Sequence, residues 1–258
     1  MTKRIAITNQ KGGVGKTTLT ISIAGALSKQ DKKVLVIDLD PQGHATEGLG
    51  LQDKYEKEPP SLYDVLVNLD SETTINNLIV NHEEFGVVPS NIDMFNAEPE
   101  LTTSMRNRER LSMALDSLEE NYDYVLIDCP PSLGNLTDNA LLASGKVLIP
   151  AQAEGTSIRA LEILFDQIDT LEETYGKDIE ELALIANRVE EDNEAKEMMK
   201  WFHNTFGGRF PIYEVRKRVA LKRAWNNGVS IFNHNEDCDM EEVFVEIANY
   251  LEGVDTDE

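Results

Sequence analysis

Gln10-Lys11-Gly12-Gly13-Val14-Gly15-Lys16-Thr17-Thr18 stands between an apolar run at residues 3–8 and a stretch of helical periodicity at residues 17–30. In that stretch Leu19, Ile23, Ala24 and Leu27 share one face. Strand, glycine loop and helix in this order form the context that a phosphate cradle requires. Glycines let backbone N–H groups turn inward and approach a polyphosphate closely, and the helix N-terminus adds partial positive charge. Lys16 is placed to reach β- and γ-phosphates, and the Thr17 hydroxyl to hold Mg²⁺. The alternative, a glycine turn followed by a chance lysine, has no reason to sit between a strand and a helix.

Outward from the loop, strand and helix signals alternate to the end of the chain. Short apolar runs at residues 33–38, 86–89, 124–128, 147–150 and 182–187 predict strands buried on both faces. Helices are expected at residues 61–68, 98–119, 156–174, 193–205 and 241–251. Leu161, Leu164, Ile168 and Leu171 line one face of the helix at 156–174. The alternation predicts an α/β fold: a mostly parallel, twisted sheet covered by helices on both faces, three layers in all. With no repeat and no linker, residues 1–252 read as a single domain and residues 253–258 as an acidic tail.

Composition agrees. The 258 residues are 41% hydrophobic and 28% charged, a globular balance, and no apolar run reaches the ~18 residues of a membrane span. Cys129 and Cys238 are the only cysteines, too few for a disulfide framework or a four-thiolate metal site. Cys129 is read as a buried apolar residue, and the protein as reduced and cytoplasmic. There are 24 basic and 47 acidic residues, a net charge of −23, for which a halophilic source is one explanation. Against that background residues 215–235 contain no acid and five cations, Arg216, Lys217, Arg218, Lys222 and Arg223, leaving −28 for the rest.

Two more segments belong with the glycine loop. Asp38-Leu39-Asp40-Pro41-Gln42-Gly43 follows the second strand, and Asp128-Cys129-Pro130-Pro131 ends a hydrophobic strand. Ligands in open α/β sheets sit beyond the carboxyl ends of strands, so all three acids should lie near the loop. Asp128 has the Walker B position, from which a carboxylate holds Mg²⁺. Asp38 and Asp40 can alternatively be turn acids at a strand end.

The loop departs from G-x-x-x-x-G-K-[ST]: Gln10 replaces the first glycine and a second lysine, Lys11, precedes the glycine pair. In this it resembles the deviant Walker A loop of the ParA/Soj/MinD family of P-loop ATPases. The resemblance extends over nearly the whole chain, including Pro89-Ser90-Asn91 and the spacing Val219, Leu221, Ala224, Gly228, Ser230, Ile231. It implies a P-loop NTPase-like fold with ATP and Mg²⁺ as ligands. Lys11, Lys16 and Asp40 are then the catalytic residues: Lys11 reaches the partner's phosphates in a nucleotide-sandwich homodimer, and Asp40 positions or activates the attacking water. Residues 11–18 hold the phosphates, Gly12, Gly13, Val14, Gly15 and Thr18 among them. Thr17, Asp38 and Asp128 form the Mg²⁺ set, with Pro130-Pro131 in switch II. Val215-Arg216-Lys217-Arg218 replaces the family's usual I-P-R-N, which puts Arg216 and Arg218 beside the adenine. Asn187 is a second adenine-edge candidate, equally readable as a strand-end cap.

Five clustered cations in an acidic chain point to an anionic partner. By resemblance that partner is double-stranded DNA, bound without sequence preference through Arg216, Lys217, Arg218, Lys222 and Arg223. Arg106, Arg108 and Arg110 can extend the patch. Trp225 can stack on DNA, although packing beside Leu221 and Ala224 is the commoner role. The expected function is partition of a plasmid or chromosome, on the nucleoid, with a ParB-like centromere-binding or cargo-adaptor protein stimulating hydrolysis. A MinD-like membrane regulator would need a basic amphipathic C-terminus, and residues 241–258 contain no Lys or Arg. An iron–sulfur carrier would need paired cysteines. Positioning of a protein cargo by the same ATPase stays open, and operator-specific repression lacks a helix-turn-helix before the loop.

Overall fold

In chain order the elements are β1 (Lys3–Ile7), α1 (Lys16–Lys29), β2 (Val34–Asp38), α2 (His44–Gly48), α3 (Gln52–Tyr55), α4 (Leu62–Val67), β3 (Val80–Asn81), β4 (Gly86–Val88), α5 (Ala97–Thr102), α6 (Arg110–Asp116), β5 (Tyr124–Asp128) and α7 (Asn135–Ser144). They continue with β6 (Lys146–Gln152), α8 (Thr156–Tyr175), β7 (Glu180–Val189), α9 (Asn193–Phe206), β8 (Ile212–Arg216), α10 (Val219–Asn226) and α11 (Met240–Gly253). This computed structural model describes residues 2–68, 72–234 and 237–254. The expected acidic tail therefore lies outside the described residues from position 255 on, while Gly253 still belongs to α11.

One eight-stranded sheet runs β3-β4-β2-β5-β1-β6-β7-β8. Every neighbouring pair is parallel except β3 with β4 at the edge. Alternating residues of the inner strands face opposite helical layers, as a period of two demands. Leu35, Ile37, Val125 and Ile127 enter the core under α4–α9, and Val34, Val36, Tyr124 and Leu126 the core under α1, α10 and α11. Both faces are thus apolar, which explains why these strands read as continuous hydrophobic runs. Phe202 on α9 and Phe244 on α11 are fully buried, one in each core, and burying one such ring contributes about 1.5–3 kcal/mol.

Where expectation and structure differ, local chemistry gives the reason. The helix expected at 98–119 is two short ones, α5 and α6. Thr102, Thr103 and Ser104 turn their hydroxyls back onto the Glu98 and Glu100 carbonyls, a competition that weakens helices. Arg106 then adopts a left-handed φ of 53°. Helix α7 lies between two strands without showing a helical stripe, because it is buried almost all round, Thr137, Asp138 and Asn139 included. Its N-terminus is capped from α5: the Glu98 carboxylate accepts the backbone N–H groups of Asn135 and Leu136. Strand β8 escapes notice because only Val215 of its five residues is buried.

The folding pattern brings the carboxyl ends of β1, β2, β5, β6, β7 and β8 to one edge of the sheet. The glycine loop leaves β1 there, with β5 and β2 on one side and β6, β7 and β8 on the other.

Candidate active site

Gly15 has a φ of 90°, a backbone region side chains rarely tolerate. A Cβ there would also collide with the Asn187 amide. That amide donates to the Val14 carbonyl at 2.7 Å, so Asn187 braces the loop from the end of β7 and also lines the cleft above it. The loop is held from below by Asn9, which accepts the Lys11 N–H at 3.0 Å and donates to the Pro150 carbonyl at 2.7 Å. Above the loop is a cleft of about 730 Å³, bounded by Lys16, Thr17, Thr18, Asp40, His44, Asn187, Arg216, Lys217 and Arg218 and by Val219, Leu221, Lys222 and Trp225 of α10.

Lys16 is 7% exposed and donates no hydrogen bond within the described residues. Burial pushes its pKa down, and the nearby Asp128 carboxylate partly opposes that shift. A buried ammonium with unused donors, opening on a glycine loop, is suited to a phosphate. Asp128 is fully buried, and its oxygens accept the Thr17 hydroxyl at 2.7 Å and the Thr20 hydroxyl at 3.3 Å. Burial pushes the Asp128 pKa up. The donor set of hydroxyl and carboxylate oxygens fits Mg²⁺. Thr20 was not foreseen; its signal is the spacing of three from Thr17, one turn along the same helix.

Asp38, expected in the Mg²⁺ set, has both of its oxygens engaged by protein: Oδ1 accepts the Asp40 N–H at 3.2 Å, and Oδ2 accepts the Thr46 N–H and hydroxyl at 2.7 Å each. Burial, with Asp128 close by, raises its pKa. Asp38 thereby holds the turn into α2 through Thr46. Asp40, 4% exposed, accepts the Gln42 N–H on Oδ1 at 2.9 Å and turns Oδ2 toward the cleft and His44.

Lys11 does not point into its own cleft. Its ammonium donates to Glu154 Oε2 and to Thr156 Oγ1, both at 2.8 Å, at the start of α8. Neither partner was singled out from the sequence, because both lie more than 140 positions away.

The basic island is not the free cluster that the sequence suggests. Glu214 pairs with Arg216 at 3.0 Å, Glu190 with Lys217 at 2.7 Å, and Asp239 forks onto Arg218 at 2.8 and 2.6 Å. Arg216, Lys217, Arg218 and Lys222 also line the nucleotide-sized cleft. Lys222 and Arg223 are exposed on α10, and Lys222 has no ion pair among the described residues. Arg106, Arg108 and Arg110 do not extend the patch: they belong to the opposite helical layer, where Leu111 enters the other core. Arg110 is buried and donates to the Met105 carbonyl, Arg108 pairs with the buried Asp138, and Arg106 pairs with Glu109. Trp225 packs on α2 so closely that a Cβ on Gly48 would overlap the indole. Cys129 is wholly buried, with its thiol pKa raised by burial.

The chain matches the AAA domain family over residues 2–181. It is 35% identical over 261 residues to the sporulation initiation inhibitor protein Soj of Bacillus subtilis, covering 96% of this chain and 97% of that protein. A putative plasmid partition protein of Borrelia burgdorferi, solved with AMPPNP, superposes with a TM-score of 0.77 at 26% identity over 98% of both chains. Cobyrinic acid a,c-diamide synthase of Mycobacterium smegmatis, solved with an ATP analogue and magnesium, superposes with a TM-score of 0.81 at 28% identity, over 98% of this chain and 95% of that one.

Proposed function

The chain belongs to the ParA/Soj family of P-loop ATPases, and from that premise we propose that it is an ATP-dependent DNA-partitioning ATPase. The observation that carries this reading is the convergence of Lys16, the Thr17–Asp128 pair and Asp40 on one glycine loop, with Lys11 held just outside it. Loop amides and Lys16 bind the β- and γ-phosphates of ATP, and Thr17 and Asp128 would hold Mg²⁺. When bound, Mg²⁺ neutralises charge on the phosphate oxygens. Asp38 keeps the 38–46 turn in place through Thr46, so that Asp40 can orient the attacking water. Asn187 braces the loop, and the backbone of residues 216–218 closes the adenine end of the cleft.

Lys11 is the link between nucleotide and assembly. Turned away from its own cleft, it serves the phosphates of a second copy once it leaves Glu154 and Thr156. The homodimer places two α10 surfaces on one DNA duplex, with Lys222 and Arg223 on phosphates and Arg216, Lys217 and Arg218 at its edge. Contacts to phosphate carry no sequence preference. A ParB-like adaptor on the cargo stimulates hydrolysis and releases the dimer from the nucleoid. One feature stands against a MinD-like membrane reading: α11 has no Lys or Arg for an anionic surface.

The deciding experiment is DNA binding with ATP, ADP or no nucleotide at several salt concentrations. Binding only with ATP, weakening steeply with salt, is expected. Equal binding in all three nucleotide states would refute the reading.

A further inference from the structure

His44 lines the cleft, and the roles above leave its imidazole unused. Its Nδ1 lies 3.9 Å from Asp40 Oδ2, about 1 Å beyond hydrogen-bond length. The Asp40 side chain is 5% exposed and that of His44 is 54% exposed, so the pair runs from the buried site to solvent. The other Asp40 oxygen is taken by the Gln42 N–H, which leaves Oδ2 for this direction.

The approach is built into the backbone. Asp38 grips Thr46, two residues beyond His44, through both its N–H and its hydroxyl. Gly43, just before His44, has a φ of 65° and lies against the Tyr55 ring, which leaves no room for a Cβ. The Tyr55 hydroxyl in turn donates to the Pro41 carbonyl at 2.8 Å. Both ends of the 38–46 turn are thereby fixed, and His44 is held at a set distance from Asp40.

We propose that His44 is a proton-relay residue, acting through Asp40, that carries the proton of the hydrolytic water out of the cleft. This rests on the ATPase reading above. As the water oxygen bonds to the γ-phosphorus and the bond to the ADP oxygen breaks, one water O–H breaks and its proton passes to Asp40 Oδ2. His44 Nδ1 takes that proton, and Nε2 releases one to solvent. Asp40 returns to its carboxylate form, and the products are ADP, phosphate and one proton. The relay needs a free lone pair on His44 Nδ1 facing Asp40 Oδ2. Catalytic histidines and their carboxylate partners commonly stand apart in ligand-free proteins and tighten around substrate.

The test compares the turnover of wild type, His44→Asn, His44→Ala and Asp40→Ala, with and without added imidazole. Binding of a fluorescent ATP analogue serves as the folding control. His44→Asn should keep nucleotide affinity and lower kcat about 3- to 10-fold, well below the ~10²–10⁴-fold of a group touching the reacting atoms. Added imidazole should restore part of the His44→Ala turnover, because the position opens to solvent. A His44→Asn enzyme with wild-type kcat would overturn the relay. So would a loss in His44→Ala that imidazole does not rescue. If wild type binds ATP but shows no turnover above Asp40→Ala, the ATPase reading itself fails, and the relay with it.

Discussion

The glycine loop and the basic island are both short segments that stand out in the sequence, and folding treats them in opposite ways. At the loop, distant acids arrive and leave Lys16 without a hydrogen-bonding partner among the described residues, since Asp128 is taken by Thr17 and Thr20 and Asp38 by Thr46. At the island, Glu190 and Asp239 arrive from other segments and, with the neighbouring Glu214, pair with the cations directly. A charge window along the chain is therefore not a surface potential. A loop whose geometry is set by its own glycines keeps its chemistry, whereas a run of cations keeps only what its neighbours do not neutralise.

The largest expected effect tests the first half of that contrast. Lys16→Ala should weaken ATP binding by about 100-fold or more, the scale for truncating one partner of a buried, hydrogen-bonded charge pair. Unchanged affinity in calorimetry would mean that the buried ammonium is structural. Next, Asp40→Ala should bind ATP within about 3-fold of wild type yet lose about 10²-fold or more in turnover, read by phosphate release.

The second half is tested on DNA. The double reversal Lys222→Glu with Arg223→Glu should lower ATP-dependent DNA affinity by more than about 10-fold, and each lost phosphate contact should reduce the log–log salt slope by about 0.9. Arg216→Ala and Lys217→Ala, whose charges already have carboxylate partners, should cost less in mobility shifts. A Lys222→Ala loss no larger than theirs would erase the distinction drawn between those paired cations and Lys222.

Smaller effects concern the acids. Asp38 and Asp128 have pKa values raised by burial, so the folded chain retains protons that the unfolded chain has released. Stability of the ligand-free protein should then fall as pH rises from about 4, where a free carboxyl titrates, to neutrality. Asp128→Asn should flatten that decline and raise the melting temperature at neutral pH by ~2–4 °C for each kcal/mol relieved. An unchanged pH slope in thermal melts would show the pair to be no burden. Smallest of all, Glu154→Gln should shift the ATP-dependent dimerisation midpoint about 2- to 5-fold toward lower concentration, the scale of a partly exposed ion pair. A weaker dimer in sedimentation would mean that Glu154 supports assembly instead of holding Lys11 back.

Much of this site is legible in the sequence because its motifs are contiguous. Residues 10–18, 38–43 and 128–131 each follow an apolar strand, and parallel topology sends all three to one edge. What stayed hidden is contact between segments far apart in the chain. The Glu154 and Thr156 hold on Lys11, the Asn187 brace on Val14 and the Asp239 fork on Arg218 leave no local pattern. Thr46 and Thr20 were hidden for another reason, since a threonine inside a helix reads as filler until its carboxylate partner is seen. The same holds for α7, whose all-round burial removes the stripe by which helices are recognised.

The chain has two tryptophans, and the fold gives them unlike surroundings. Trp201 is wedged among Phe202 and Phe206 on α9, with ring centroids 5.8 and 5.5 Å away, remote from the cleft. Trp225 lies on Gly48 and forms part of the cleft wall. The molecule thus contains an optical probe and its internal reference. Nucleotide entry should change the emission of one indole while the other holds constant, so occupancy can be followed in real time without a label.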